Sequence, residues 1–282
     1  PAAFHGCPPK PGCPLKIPGQ APIPTGMHSM PPQVAAGLQA RLRDGWRRWH
    51  PGTGGGVMRA LGRSWALLAL VAALLSAALP GAQAFDASRL QSAAASLGPR
   101  GERSAAELQD VISRSQKLDD AGRLERINAF FNRRVAFVND LEAWGETDYW
   151  ASPLETLVKG AGDCEDYAIA KFFTLLAAGT PSAKLRLVYV RAMMPAAGGQ
   201  PAGPQAHMVL AYYAEPTAEP MILDNLISEI RPASSRPDLT PVFSFNADGL
   251  WNGAGPQTAG NPQARLSRWR DVLRKSRVEG FE

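Results

Sequence analysis

"GAGDCEDYAIAKF", residues 160–172, sets a boundary and starts an element within one short run. Gly160 and Gly162 end whatever precedes them. After Asp163, apolar residues recur at helical spacing, with Ala168, Phe172, Leu175 and Leu176 on one face. Gly179 and, just beyond it, Pro181 supply the stop, so a helix is expected over 164–178. This places Cys164 at a helix start. Unpaired N–H groups and the positive end of the helix dipole there favour an anion and draw a thiol below its free pKa of about 8.5. The same N–H groups suit the oxyanion of a tetrahedral intermediate. The acids Asp163, Glu165 and Asp166 oppose that charge. A carboxylate about 6 Å from sulfur, at an effective dielectric of about 20, costs a thiolate roughly 2–3 kcal/mol, or about two pKa units.

Two readings of these acids stay open. Asp163 as N-cap and Asp166 as a third-position acid fit plain helix capping. Alternatively, a hard divalent cation held by the carboxylates reverses the local field. Calcium, with about 6–8 oxygen ligands and tolerant geometry, suits such a loop, although one short run cannot supply every ligand.

Upstream, "SAAE" at 104–107 has the form of a capping box, followed by Leu108, Val111 and Ile112 at helical spacing. A second helix is expected over about 124–141, with the stripe Leu124, Ile127, Phe130, Phe131, Val135 and Val138. Ser152-Pro153 opens a short helix that Gly160 ends. Residues 85–103 are rich in Ala and Ser and are expected to form a loosely held arm.

Downstream the period becomes that of strands, at 185–192, 207–213 and 221–224, with a flexible loop over 193–206. A basic helix near 264–275 carries Leu266, Trp269, Val272 and Leu273. Helices followed by an antiparallel sheet make the fold class α+β.

A nucleophile wants a base within hydrogen-bond reach and a group to orient that base. His207 opens one strand and Asp224 closes the next. A hairpin with Tyr213 opposite Ala218 and a loop at 214–217 puts His207 directly opposite Asp224, on one face of the sheet. The bland alternative is an edge histidine and a turn-forming aspartate before Asn225. With the helix-start cysteine, the three favour a Cys164–His207–Asp224 triad.

The net charge of +5 does not belong to the domain that carries this constellation. Of the 30 Lys/Arg and 25 Asp/Glu, eight and one lie in residues 1–84, so the remainder has 22 basic and 24 acidic residues, a net −2. That excludes a basic nucleic-acid surface. Residues 1–57 are Pro/Gly-rich without sustained apolar period and are expected to be a disordered extension outside the native protein, translation starting at Met58. Residues 58–84 have basic Arg59 and Arg63, an apolar run from Trp65 to Leu79, and Ala82-Gln83-Ala84, the layout of a secretory signal peptide cleaved after Ala84. The run of 15 residues is short of the roughly 20 that span a bilayer. Cys7, Cys13, His5, His28 and His50 fall in these stretches, leaving Cys164 and His207 alone of their kinds in 85–282. A single cysteine forms no internal disulfide.

The stretches "DYWASPLETL", "GAGDCEDYAIAKF", "LRLVYVRA", "AHMVLAYY" and "LDNLISEIRPASSRPDLTPVFSFNADGLW" resemble the bacterial transglutaminase-like cysteine proteinases over roughly 124–251. The run around Cys164 is the most specific, and no triad position departs. The resemblance implies a papain- and transglutaminase-like fold over 104–282, with the nucleophile at a helix N-terminus packed on an antiparallel sheet. It implies the same triad, with calcium bound at Asp163, Glu165 and Asp166. It further implies a periplasmic endopeptidase that cuts a large repeat adhesin near its N-terminus at a di-alanine site. The partner implied is an inner-membrane cyclic-di-GMP receptor that sequesters the protease and so governs adhesin release and biofilm dispersal. Rival readings are transglutaminase-like acyl transfer or deamidation by the same triad, a non-catalytic calcium-binding adaptor, and a Cys-His-Asp zinc site.

Overall fold

Leu90 and Ala94, one helical turn apart in an otherwise small and polar segment, are both buried, and this changes the start of the domain. The computed structural model describes residues 85–196, 201–255 and 258–281; the 1–57 extension, the leader at 58–84 and its cleavage site lie outside the described residues. Residues 85–103 are not a loose arm. They form α1 (Ala87–Ala95), capped by Asp86, and the beginning of α2 (Gly98–Ser115). The apparent capping box at 104–107 lies inside α2, where Ser104 faces the core instead of capping anything. The start of the segment is tied to its end: Phe85 bridges Phe281, and the Asp86 N–H donates to the Gly280 carbonyl at 2.7 Å. Gly280 has φ 87°, and a Cβ there would lie 2.2 Å from the Asp86 oxygen, so no other residue fits.

The stripe from Leu124 divides earlier than its period suggests. α3 (Asp120–Arg134) ends where Val135 turns extended, and β1 (Ala136–Phe137) pairs in parallel with β2 (Ala161–Gly162). Between the two strands, α4 (Asp140–Trp144) is capped by Asn139, and α5 (Pro153–Lys159) by a Ser152/Glu155 capping box. Gly160 closes α5 in the left-handed region at φ 71°. Then comes α6 (Cys164–Ala177), the centre of the fold, every residue of which is buried.

The sheet combines β3 (Leu185–Met194), β4 (Gly203–Tyr212), β5 (Met221–Leu223), β6 (Arg231–Pro232), β7 (Leu239–Phe245), β8 (Leu250–Asn252) and β9 (Thr258–Gly260). Its order is β6-β5-β4-β3-β7-β8-β9, with every pairing antiparallel. The long β3–β4 ladder reaches into the span expected to be loop, since Gly203 already pairs with Met194. On one face Leu187, Met208, Leu210 and Phe245 pack into the main core with α6. On the other, Val188, Val190, Val209, Ala211 and Ile222 form a smaller cluster. The chain finishes with α7 (Pro262–Arg265) and α8 (Ser267–Val278), whose Trp269 is fully buried against Phe172, Phe173 and Phe245. No helix among the described residues is long and apolar enough to cross a membrane.

The end of α8 reaches across to the start of α5. Glu279 is buried, accepts the Ser152 hydroxyl and takes the Leu154 N–H at 3.1 Å. Burial raises its carboxyl from 4.5 to about 7. A carboxyl raised on folding contributes stability that is whole below about pH 4.5 and is lost as pH climbs through about 7, here roughly 3 kcal/mol at most. Glu279→Gln keeps one acceptor and one donor in place. Urea denaturation at pH 5 and pH 8 should therefore show the variant losing less stability over that interval than the wild type; equal losses would refute the assignment.

Candidate active site

The hairpin pairs His207 with Asp224 through a register different from the expected one. Leu210 opposes Leu223 and Tyr212 opposes Met221, a slip of two residues, with the connection lengthened to 213–220. Pro220 lacks an N–H to extend the ladder, and Tyr213 donates to Lys184 instead. A slip of two preserves the faces of a strand. His207 and Asp224 thus become diagonal neighbours on one face, and His207 Nε2 lies 2.8 Å from Asp224 Oδ1. Both are buried, at 3 % and 1 % exposure.

Asp224 is held at every polar atom outside its own N–H. Oδ1 also accepts the Leu226 N–H at 3.1 Å, and Oδ2 accepts Arg236 at 2.8 Å. Its carbonyl takes Asn132 Nδ2 at 2.8 Å and Lys171 Nζ at 3.2 Å. Burial would raise its carboxyl, but His207, the Leu226 N–H and Arg236 together hold it well below the usual carboxylate range. Asp224 is therefore an anion and accepts from Nε2–H, leaving Nδ1 as the basic nitrogen of His207. Lys171, fully buried, is pushed down to about 7 by desolvation, against the pull of Asp224.

Cys164 is the first residue of α6, at 5 % exposure, with its sulfur 3.0 Å from Glu165 Oε2. α6 packs directly on β4, and Lys171, two turns along from Cys164, reaches the Asp224 carbonyl. Cys164 and His207 therefore belong to two elements in direct contact, and Asp224 follows β5, the strand next to β4.

The acids form a larger cluster than the run at 163–166. Ligand atoms of Asp163, Cys164 and Glu165 lie within 4.8 Å of one another, as do those of Asp140, Asp163 and Asp166, and those of Asp140, Asp148 and Glu165. Asp140 at the start of α4 and Asp148 on the following loop were missed from sequence, where Asp140 sat inside an expected helix. The signal was Asn139, a capping residue that restarts the chain there. The parallel β1–β2 pair brings the approach to α4 beside the approach to α6. Asp166 Oδ1 accepts the Ala151 N–H at 2.8 Å, whereas Oδ2 is buried without a donor. Burial, then the Glu165 and Asp140 charges, push the Asp166 carboxyl well above its ordinary value. Gly162 makes room, since a Cβ there would lie 2.4 Å from Asp166 Oδ2. Buried, mutually close carboxylate oxygens with an unsatisfied acceptor fit a hard cation with oxygen ligands. The capping reading is incomplete, because Asp163 makes no side-chain cap hydrogen bond.

The model of the bacterial transglutaminase-like cysteine proteinase family matches residues 102–237. Among solved structures, Legionella pneumophila LapG, EGTA-treated, is 38 % identical with a TM-score of 0.59, the match covering 69 % of this chain and 99 % of that one. Calcium-bound LapG from the same organism is 37 % identical with a TM-score of 0.57, covering 68 % and 99 %. No curated protein matches the chain. Helices over an antiparallel sheet, with the cysteine opening the central helix, are thus a transglutaminase-like fold.

Proposed function

This chain belongs to the bacterial transglutaminase-like cysteine proteinases, and from that premise we propose that it is a calcium-dependent periplasmic cysteine endopeptidase. Its proposed substrate is the N-terminal region of a large repeat adhesin, cut at a di-alanine site. An inner-membrane receptor for cyclic-di-GMP would sequester it and so control biofilm dispersal. What carries the reading is the buried His207–Asp224 hydrogen bond, with His207 on the strand β4 that packs on the helix Cys164 opens.

In the proposed mechanism, His207 Nδ1 takes the thiol proton and the Cys164 sulfur attacks a backbone carbonyl carbon. The Cys164 N–H, at the open end of α6, donates to the developing oxyanion. His207 then returns its proton to the leaving amine as the C–N bond breaks, leaving a thioester on Cys164. Water, deprotonated by the same imidazole, releases the acid and the thiol. Asp224 keeps Nε2 protonated and stabilises the imidazolium. Calcium held by Asp140, Asp148, Asp163, Glu165 and Asp166 would supply positive charge beside the sulfur. The periplasmic placement rests on the leader at 58–84.

The test is incubation of the full chain with an adhesin N-terminal fragment in calcium, followed by mass spectrometry. Two new peptides are expected. An intact fragment shifted by about one dalton, or crosslinked, would instead assign acyl transfer, which differs only in what resolves the thioester.

A further inference from the structure

Arg236 lies between the 3-10 turn Ala233–Ser235 and β7, and nothing in its sequence context marks it out. Its side chain is 2 % exposed. One terminal nitrogen donates to Asp224 Oδ2 and to Asp238 Oδ2, each at 2.8 Å, and Nε donates to Asp238 Oδ1 at 3.0 Å. Asp238 is one-third exposed and anchors the guanidinium from the solvent side. The buried polar line thus runs Asp238, Arg236, Asp224, His207.

We infer that Arg236 is a positioning residue that fixes both the orientation and the ionisation of Asp224, and through it the tautomer of His207. This rests on the triad reading above. Without the guanidinium, Asp224 keeps only the Leu226 N–H and the imidazole as partners for its carboxylate, at a site closed to water. A buried carboxylate that loses its cation is drawn toward its protonated form. A protonated Asp224 becomes a donor, and the nitrogen it faces, Nε2, must then accept. His207 would carry its proton on Nδ1 instead, the nitrogen that has to be free to act as base.

The measurement is nitrogen NMR of the full chain labelled at histidine, with the His207 signals identified by their loss in His207→Gln. Wild type should show neutral His207 as the Nε2–H tautomer. Arg236→Met should populate the Nδ1–H form, and Arg236→Lys, which keeps the charge, should restore Nε2–H. Alkylation of Cys164 by iodoacetamide, followed on its own peptide, should fall about tenfold in Arg236→Met and recover in Arg236→Lys. A folded Arg236→Met protein with the Nε2–H tautomer intact overturns the role. If Arg236→Met does not fold, Asp238→Asn decides, by loosening the same anchor from the surface; tautomer mixing supports the role and an unchanged tautomer overturns it. Asp224→Asn separates the two layers of inference. A His207 indifferent to Asp224→Asn overturns the triad reading and the role of Arg236 with it, whereas one sensitive to Asp224→Asn but not to Arg236→Met overturns Arg236 alone.

Discussion

Cys164→Ala should abolish the proposed cleavage of the adhesin fragment, a loss of at least about 10⁴-fold in kcat, while the protein stays folded and keeps the proposed calcium site. The size follows from what is removed. The sulfur is the atom that forms the covalent intermediate, and the rest of the machinery retains only oriented binding and oxyanion donors, the residue left in other triad enzymes. Stability should change little, because Cys164 contributes a small buried side chain at the first position of α6 and the helix is held by residues further along, Phe172 and Leu175 among them. Fragment cleavage by gel, circular dichroism and calcium titration, measured on the same sample, separate the possibilities. Cleavage that survives the substitution would remove the nucleophile and with it the mechanism.

Chelation is the second large effect. On the calcium reading, EGTA takes the cation's charge away from the Asp163 and Glu165 carboxylates beside the Cys164 sulfur, Glu165 at 3.0 Å. Even one such carboxylate at an effective dielectric of about 20 is worth about two pKa units. The sign is toward the protonated thiol, so the pH at which Cys164 becomes reactive moves up on chelation and down on calcium addition. At pH 7 the iodoacetamide rate at Cys164 should therefore drop by at least about tenfold in EGTA and return with excess calcium. This readout needs no substrate. Glu165→Gln removes one ligand and one opposing charge together. It should weaken calcium binding, with activity partly recovered at high calcium. Full proteolysis in chelator would exclude a role for the ion.

Much of the fold was legible because local rules and tertiary packing agree. The Ser152/Glu155 box, Gly160 and Gly179 mark helix ends that the structure keeps. Errors arose where burial decides. Ser104-Ala-Ala-Glu107 satisfies a capping pattern, yet the chain there is already helical, because α2 starts at Gly98 and its Ala105 and Leu108 share the core with Leu90 and Ala94 of α1. The hairpin register was two residues out, and the His207–Asp224 contact survived because strand faces repeat every second residue. Asp140 and Asp148 were invisible for a different reason. They join Asp163 and Glu165 only after the β1–β2 pairing folds the intervening chain into a loop, a non-local event with no periodic trace. Arg236 is likewise defined by a partner 12 residues away across two turns of chain.

The clasp between Phe85 and Phe281, with Gly280 pressed against the Asp86 carbonyl, has a kinetic meaning. Synthesis is vectorial, so Phe281 emerges long after the Phe85 it closes on. Until then α1 has no far-side anchor and Glu279 cannot reach Ser152. A nascent chain that has not yet exposed Glu279, Gly280 and Phe281 should consequently stay open to proteases and to threading through a narrow pore, then mature abruptly once they are free.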